Sequence, residues 1–471
     1  MSDPHDNNVL MPEGPAVELR DDDGAIRAEY VEQVVAAIYA SDAAKLRELV
    51  SELHEADSGD LIEALDPEDR PRLVTLMGAD FDFTALTEVD DAVREDILDE
   101  LSTATVAEGV RDLDSDDAVR ILEDLPKDEQ DEILDQLPAS ERVALARSLD
   151  YPEASAGRRM QDEVIAVPPS WTVGHAIDYL RETAELPERF YELYVVDPDR
   201  KLLGAVALDK LLRTNRPVTV AELLDEDLRR VHALDDQEEV ARMFERYNLI
   251  AAPVVDDDER LVGTITFDDI VDVIEEEAEE DIKALGGVAR EEELSDTVWT
   301  IARGRFNWLV VNLATAFLAS SVLGIFEGEL QKMVALAVLA PIVASQGGNA
   351  ATQTMTVAVR ALATRELGNA NAMRVVVREL LVGILNGAAF AVITGVAAYA
   401  WFRIPDLGIV IGLAMVCNMI AAALGGILIP LILERLKADP AVSSGVFVTT
   451  ITDVVGFFSF LGIATLWFGF K

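Results

Sequence analysis

Cysteine is almost absent from this chain of 471 residues. Cys417 is the only one, so no disulfide bond can form within the chain, and this fits a reducing compartment. Histidine is also rare, and all four residues (His5, His54, His175 and His232) precede the apolar C-terminal part. No nucleophile and base are paired near the apolar segments, which argues against a membrane enzyme and predicts no catalytic residues.

Basic residues are scarce as well, with 39 Lys and Arg against 87 Asp and Glu. A surface this acidic would repel nucleic-acid phosphates, which excludes nucleic acid as a partner. From Ile301 onward there are 8 acidic and 11 basic residues, so the first 300 residues hold 79 acids and 28 bases. The chain therefore divides into a very acidic soluble part, typical of a halophile, and an apolar part.

The N-terminus lacks the basic region and apolar core of a signal peptide, so the soluble part is expected to stay in the cytoplasm. Residues 1–29 are predicted to form a flexible acidic tail. In residues 30–153 apolar residues recur three and four apart, with Asp or Ser at segment starts and Pro at breaks. This pattern predicts an all-α domain of stacked helix pairs, a small superhelix.

The middle of the chain contains an internal repeat. "VVDPDRKLLGAVALDKLL" (195–212) and "VVDDDERLVGTITFDDIV" (254–271) align without gaps. Each copy predicts a strand, an acidic turn, a second strand and an Asp at the start of a helix. The two copies resemble a tandem pair of CBS domains, which have an α/β fold, over residues 154–217 and 218–275.

The second copy carries a motif that CBS domains use to bind a nucleotide ribose. Gly263, Thr266 and Asp269 have its G-x-x-T-x-x-D spacing, which implies ATP as a ligand. The first copy has Ala207 and Lys210 at the matching places, so one nucleotide site is expected at most.

The sequence next predicts a long acidic helix from Asp268 to Gly287 that leads toward the membrane. As domains, it predicts a connecting helix over residues 276–302 and a transmembrane domain over residues 303–471. Five apolar segments (306–326, 334–358, 380–402, 407–433 and 441–470) reach the ~20 residues that a helix needs to cross a bilayer. With the soluble part inside, eight basic residues flank the cytoplasmic ends: Arg303, Arg305, Arg360, Arg365, Arg374, Arg378, Arg435 and Lys437. Only Lys332, Arg403 and Lys471 flank the outer ends, which predicts a cytoplasmic N-terminus and an outer C-terminus.

Polar residues inside two spans point to an ion path. In "PIVASQGGNAATQT" (341–354), Pro and Gly-Gly are expected to weaken the helix and free backbone carbonyls. In the last span, Gly445, Thr449, Asp453 and Gly456 fall on one stripe, and Asp453 is the only acid near the centre of any span. A carboxylate at that depth costs roughly 2.5–3.5 kcal/mol, and no Lys or Arg sits in mid-span to neutralise it. Asp453 is therefore predicted to face a passing cation.

The ligands available to that cation are oxygens, which suit Mg²⁺, Ca²⁺ or Mn²⁺. Two copies of Asp453 in a homodimer would match the charge of one divalent ion. Mg²⁺ sheds water reluctantly, so such a site would hold it through its hydration shell. A dimer is expected because five spans are few for a self-contained pore.

The order of these parts resembles the MgtE family of magnesium channels, over essentially the whole chain after residue 30. The stretches that carry the resemblance are "YPEASAGRRM" (151–160), "EEDIKALGGV" (279–288), "GGNAATQT" (347–354), "RALATREL" (360–367) and "DPAVSSGVFVTTITDVVG" (439–456). The resemblance implies a homodimer in the cell membrane that takes up Mg²⁺ and is closed by intracellular Mg²⁺. The implied pore residues are Asp453, Gly348, Ala351, Thr449 and Gly456, although many members have Gly where Ala351 stands.

The resemblance also implies a set of sensor carboxylates in the cytosolic part. They are Asp116, Asp236, Glu238, Asp268, Asp269, Asp272, Glu277, Glu280 and Asp281. Mg²⁺ would bridge acids that otherwise repel one another and so close the path. The chain departs from the family at Arg120, where other members have an acid.

Two other functions remain open from the sequence. One is a transporter of another divalent cation, Mn²⁺ or Co²⁺, that is regulated by nucleotide binding to the CBS pair. The other is a CBS-regulated anion transporter, against which Asp453 argues because no cationic side chain accompanies it in the membrane.

Overall fold

The computed structural model describes residues 19–183, 186–187, 189–225, 228–289, 292, 297–368 and 371–469. The chain divides into two compact units, residues 1–276 and 277–471, and each is described by itself. Most of the predicted tail lies outside the described residues. The part from Leu19 on forms a short antiparallel bridge between Arg20 and Ile26, and Arg20 pairs with Asp57 and Asp60.

The first unit begins with nine helices, as the 3.6-residue periodicity predicts. They are α1 (Ala28–Ala40), α2 (Ala43–Val50), α3 (Glu55–Ala64), α4 (Arg70–Met77), α5 (Asp91–Glu100), α6 (Thr103–Arg111), α7 (Ser115–Glu123), α8 (Lys127–Leu134) and α9 (Ala139–Leu149). Two 3₁₀ turns, Gly78–Asp80 and Phe83–Leu86, join α4 to α5. Asp42 and Ser102 cap helices with their side chains, and Pro126 and Pro138 directly precede others.

The CBS repeat follows in the same unit as two matching α/β folds. The first comprises β1 (Ala166–Val167), α10 (Val173–Glu182), β2 (Glu192–Val196), β3 (Leu202–Ala207) and α11 (Leu208–Leu212). The second comprises β4 (Val231–His232), α12 (Gln237–Tyr247), β5 (Ala251–Val255), β6 (Leu261–Thr266) and α13 (Phe267–Gly286). In each sheet the middle strand pairs parallel with the first and antiparallel with the third.

The repeat extends to details of the backbone. The register shifts after Val195 in the first sheet and after Val254 in the second, which are equivalent positions. Asp197 accepts bonds from the amides of residues 199 and 201, and Asp256 does the same with residues 258 and 260. The acidic turns that the sequence predicts are therefore closed by their own aspartates.

The helix α13 begins at Phe267, directly after β6, and ends at Gly286, so it matches the predicted acidic helix to within one residue at each end. Because it ends at Gly286, the predicted connecting range 276–302 is not one helix. Gly287 has a left-handed backbone, and a Cβ there would lie 1.8 Å from Nε1 of Trp308. Only glycine fits this turn.

The second unit contains five helices that are long and apolar enough to cross a membrane, as predicted. They are α14 (Val298–Ile325), α16 (Val334–Ala363), α17 (Ala372–Phe402), α18 (Pro405–Arg435) and α19 (Pro440–Phe468), with the short α15 (Glu327–Lys332) between the first two. The residues expected to weaken the second span do not interrupt it: α16 runs through Pro341 and the Gly-Gly pair as one helix. Neighbouring helices support its interior, as is common for Pro and Gly in membrane helices.

Glycines bring α17 and α18 into backbone contact. A Cβ on Gly395 would lie 2.8 Å from the carbonyl oxygen of Gly408, and a Cβ on Gly408 would lie 2.7 Å from that of Gly395. Gly383 makes a similar approach to the carbonyl oxygen of Met419, at 2.9 Å. Small residues at such contacts let membrane helices pack closely where no hydrophobic effect drives them together.

A buried arginine ties together the helical domain. Arg94 is 2% exposed, and its Nε lies 2.5 Å from Oδ2 of Asp124 and its Nη2 lies 2.6 Å from Oδ1 of Asp91.

We expect Arg94→Met to lower the free energy of unfolding by about 3–5 kcal/mol, because Asp124 would keep a buried charge without a partner. Urea unfolding of the purified protein, followed by circular dichroism, measures this.

The matched control is Arg142→Met, which breaks an exposed pair with Asp135. This pair contributes about 0–1 kcal/mol at most. Equal effects of the two substitutions would contradict the structural role of Arg94.

Candidate functional site

Acidic side chains converge where α7 of the helical domain meets the start of α13 within the first unit. A cavity of about 60 Å³ lies between them. Its lining residues are Thr87, Glu88, Asp116, Asp117, Val119, Arg120, Glu123, Arg158, Arg159, Asp269 and Asp272. Three of the predicted sensor acids, Asp116, Asp269 and Asp272, are therefore brought together.

Two carboxyl groups adjoin at the centre of this cluster. Gln161 Nε2 donates to Oδ2 of Asp116 at 2.9 Å, and Thr266 Oγ1 donates to Oδ2 of Asp269 at 2.9 Å. Oδ1 of Asp116 is buried and receives no hydrogen bond from any residue that the structure describes. The carboxyl group of Asp116 lies beside a second acid, Asp269.

Burial and mutual repulsion hold these acids toward their neutral forms. Burial raises the pKa of Asp117 to about 8, and the neighbouring Asp116 and Asp114 add to the shift. Burial likewise raises the pKa of Asp116 to about 6. It raises the pKa of Asp269 well above its ordinary value, helped by Asp116. A cation at this place would replace the protons and relieve the repulsion.

Arginines already neutralise one edge of the cluster. Arg120 reaches from α7 to α13, with Nη1 3.3 Å from Oδ2 of Asp272 and Nη2 3.4 Å from Oε1 of Glu276. Arg159 Nη2 lies 2.7 Å from the other oxygen of Glu276. Among the described residues, no three acidic, histidine or cysteine side chains converge as they would around a bound metal ion. Four carboxyl groups of the lining form no ion pair with any arginine that the structure describes, and Asp116 and Asp269 are the two that adjoin at its centre.

Other predicted sensor residues of the first unit lie away from this cavity. Asp236 is the N-cap of α12, where its side chain accepts a bond from the amide of Glu238 at 3.0 Å. Glu238 pairs with Arg242 one turn later, at 2.5 Å. Asp268 is exposed in the first turn of α13. Local capping and ion pairing explain the first two positions.

A second acidic group lies within the second unit. Burial raises the pKa of Asp281, and the carboxylates of Asp439 and Glu277 raise it further. Asp439 is the N-cap of α19 and accepts a bond from the amide of Ala441 at 2.7 Å. This group joins the C-terminal part of α13 to the start of the last span. Glu280, predicted with the others, lies in the same part of α13.

The predicted nucleotide motif is partly used for packing. A Cβ on Gly263 would lie 2.6 Å from the carbonyl oxygen of Gln161, so a close approach of two chain segments requires this glycine. Thr266 and Asp269 lie together as the motif requires, but Asp269 is also the partner of Asp116. The same carboxyl group thus belongs to both predicted sites.

In the membrane domain, Asp453 is half-buried on α19. No described residue forms a hydrogen bond or ion pair with its carboxylate. Thr449, one turn earlier, donates to the carbonyl oxygen of Gly445 at 2.9 Å. The predicted stripe is not continuous, because Gly456 packs against Asn418 of α18. Ala351 is fully buried where α16 contacts Gly426.

The polar side chains of α16 lie at its surface. Asn349, Gln353 and Thr356 are exposed and Gln346 is partly exposed, whereas Gly347 between them is buried. Gly348 is partly exposed beside α19, where a Cβ would lie 3.9 Å from Oγ1 of Thr452. A row of amides facing lipid would be costly, so this surface requires a polar environment.

The chain resembles proteins of known function along most of its length. Family models match residues 340–463 (divalent cation transporter), 53–154 (MgtE intracellular N domain), and 156–215 and 220–276 (CBS domain). A magnesium transporter MgtE from Bacillus subtilis is 31% identical over 419 residues, which cover 89% of this chain and 93% of that protein. The chain belongs to the MgtE family.

Two further MgtE relatives support this membership. The magnesium transporter MgtE of Enterococcus faecalis is 34% identical and covers 90% of this chain and 93% of its own length. The magnesium transporter MgtE of Thermus thermophilus is 38% identical, and the match covers 69% of this chain and 71% of that protein. The chain also resembles a crystal structure of the cytosolic domain of the Mg²⁺ channel MgtE in complex with ATP, with 30% sequence identity and a TM-score of 0.48. This match covers 52% of the present chain and 99% of the chain in that structure. The five apolar helices and the membership of the MgtE family together make the chain a multi-pass membrane protein with soluble N-terminal domains.

Several residues of the two acidic groups described above were not singled out from the sequence. Asp117, Glu88 and Glu123 line the first cavity, and Asp439 belongs to the second group. Asp439 stands at the start of a quoted family stretch, where an N-cap explains an aspartate without any ion. Glu88 lies in the segment just before α5 and comes near Asp272 only in the folded unit. In a chain with 87 acidic residues, the sequence alone does not distinguish these four residues from ordinary surface acids.

We expect the stability of the cytosolic part to fall as pH rises from 5 to 9 in EDTA. The unfolded aspartates ionise near pH 4, whereas the folded unit still holds protons up to pH values of about 6 to 8. The contribution of these two groups to the free energy of unfolding is therefore fully present below pH 4. It is lost as the pH rises through their folded pKa values. Thermal unfolding of the purified protein at several pH values measures this.

The control variant is Asp117→Asn, which removes the group with a pKa of about 8. The decline above pH 7 should flatten in this variant, and millimolar Mg²⁺ should flatten it in the wild-type protein. An identical decline in both proteins would contradict the assignment.

Proposed function

We propose that the chain mediates Mg²⁺ uptake through a path at Asp453 and that intracellular Mg²⁺ closes this path. The observation that carries the proposal is the Asp453 carboxylate, which lies in a membrane helix without a bond from any described residue. The MgtE relatives, which are magnesium transporters, support the choice of ion. The described residues that line this region offer oxygen ligands, which Mg²⁺ prefers.

We infer that the functional unit is a homodimer in the lipid membrane. The amide row on α16 and the Asp453 carboxylate lie on the surface of a single chain or close to it. A second copy would cover this polar surface and place two Asp453 carboxylates beside one hydrated divalent ion. Thr449 and Gly348 are the further residues best placed to line the path. Ala351 and Gly456 act through helix spacing, because both are buried in contacts.

Closing by intracellular Mg²⁺ would use the two acidic groups. One ion would bind between Asp116 and Asp269, where the free oxygen of Asp116 offers a ligand, and keep several of its waters. Another would bind among Glu277, Asp281 and Asp439, at the start of the span that carries Asp453. Loss of these ions restores the repulsion between carboxylates and favours the open state. The remaining predicted sensors, Asp236, Glu238, Asp268, Asp272 and Glu280, would act through the electrostatic field of the surface.

ATP is the proposed ligand of the second CBS domain, at Thr266 and Asp269 with Gly263 shaping the strand. Because Asp269 also faces Asp116, ATP and Mg²⁺ binding would be coupled. We propose no catalytic role for any residue. Transport of Mn²⁺ or Co²⁺ under nucleotide control is the alternative function, and ion competition separates it from Mg²⁺ transport.

Asp453→Asn is expected to reduce Mg²⁺ flux into liposomes at least roughly tenfold. The substitution keeps the size of the side chain and removes the charge that offsets dehydration of the ion. Fluorescent Mg²⁺ indicators inside the liposomes measure the flux, with Co²⁺ and Mn²⁺ as competitors.

The matched control is Glu379→Gln, which neutralises an acid at a span end that Arg378 already pairs at 2.9 Å. Its flux should remain near that of the wild type. Unchanged flux in Asp453→Asn would rule out this residue as the ion site, and stronger Mn²⁺ or Co²⁺ flux in the wild type would favour the alternative function.

Asp116→Asn is expected to weaken inhibition by internal Mg²⁺ while leaving the maximal flux intact. The variant loses one of two carboxylates of the proposed cytosolic site, so closing should need a Mg²⁺ concentration several times higher. Patch recordings with stepped internal Mg²⁺ measure the half-inhibiting concentration. Asp96→Asn, at an exposed acid on α5, is the control, and an equal shift in it would point to surface charge instead of a site.

A further inference from the structure

A fully buried asparagine lies at the meeting point of three membrane helices. Asn418 of α18 is 0% exposed. Its Nδ2 donates to the carbonyl oxygen of Val343 in α16 at 2.7 Å. Its Oδ1 is buried and accepts no bond from the described part of the chain. An amide in this position is costly unless it is paired, so its half-paired state calls for an explanation.

Two glycines make room for this amide. A Cβ on Gly347 of α16 would lie 2.1 Å from Nδ2 of Asn418, and a Cβ on Gly456 of α19 would lie 2.9 Å from the same atom. All three helices therefore meet in a single contact, with Gly347 and the Val343 carbonyl from α16, Asn418 from α18 and Gly456 from α19. The contact forms only if both glycines lack side chains, and it fixes the separation of α16 and α19.

The contact lies next to the proposed ion path. Gly456 follows Asp453 by three residues, which is about 4.5 Å along the helix. Gly347 directly precedes Gly348, whose Cβ position would lie 3.9 Å from Thr452, the neighbour of Asp453. A small shift between α16 and α19 would therefore move Gly348 relative to the Asp453 carboxylate.

We propose that Asn418 is a positioning residue of the ion path, which holds α16 and α19 at the spacing that Mg²⁺ permeation requires. Its hydrogen bond to Val343 orients the amide, and the amide spaces the two glycine-bearing helices. A leucine has the same branched shape, although its methyl groups are larger than the amide atoms, and it would leave no unpaired oxygen. Stability alone therefore does not explain the asparagine. This inference rests on the proposed Mg²⁺ transport.

The first test is Asn418→Leu in the full chain in liposomes, with Mg²⁺ and Co²⁺ flux and thermal unfolding measured together. We expect the unfolding midpoint to stay the same or rise. Mg²⁺ flux should fall roughly 3- to 15-fold, which corresponds to the loss of one interhelical hydrogen bond. The ratio of Mg²⁺ to Co²⁺ flux should also change, which a merely structural role would not produce.

The matched control is Asn312→Leu in α14. Its Nδ2 donates only within its own helix, to the carbonyl oxygen of Trp308 at 3.2 Å. Flux and ion ratio in this variant should stay near those of the wild type. An equal loss in both variants would overturn the proposal, because any mid-span amide would then have the same effect.

A second pair of variants applies even if Asn418→Leu folds poorly. Gly347→Ala should reduce flux, because its methyl group displaces the Asn418 amide. Gly347→Ala combined with Asn418→Ala should restore folding but leave the ion ratio altered, since the bond to Val343 is absent. A double variant with normal flux and ion ratio would overturn the proposal and leave the contact a matter of packing. Mg²⁺ flux that persists in Asp453→Asn would instead reject the proposed path itself.

Discussion

A carboxylate taken out of water needs a cation, a proton or hydrogen-bond donors, and the functional regions of this chain depend on how that need is met. In the first unit Arg120 and Arg159 satisfy Asp272 and Glu276, whereas one oxygen of Asp116 has no donor among the described residues. In the membrane unit Asp453 has no partner in the described part of the chain. In the proposed function, an ion would meet the need of both carboxylates. The protein would then carry Mg²⁺ and respond to it with the same type of ligand.

Much of the architecture follows from the sequence because its physical causes are local. Helical periodicity, prolines at breaks and the closing aspartates of the repeat act over a few residues, so the helical domain, the paired CBS folds and five spans were all predicted and confirmed. The equivalent shifts after Val195 and Val254 show how fully the repeat determines the backbone. The predicted acidic helix 268–287 matches α13, which ends at Gly286, and the Gly-Gly pair marks this end.

The sites were less predictable because they depend on which helix faces which. Helical spacing placed Gly456 on one stripe with Asp453, yet Gly456 packs against Asn418. Pro341 and the Gly-Gly pair predicted a weakened helix, but α16 continues through them. Asp117 and Asp439 look like ordinary helix-start aspartates until folding brings other acids beside them. In a chain with 87 acidic residues, only tertiary contact separates a ligand from the surface charge.

The reciprocal contact of Gly395 and Gly408 has a mechanical consequence. At this point each backbone lies against the other's carbonyl oxygen, so no side chain separates α17 from α18 there. This close contact should keep the two helices together as one rigid body during the proposed opening and closing of the path. Rearrangement must then occur at their outer faces, where side chains separate the backbones and can be repacked at low cost.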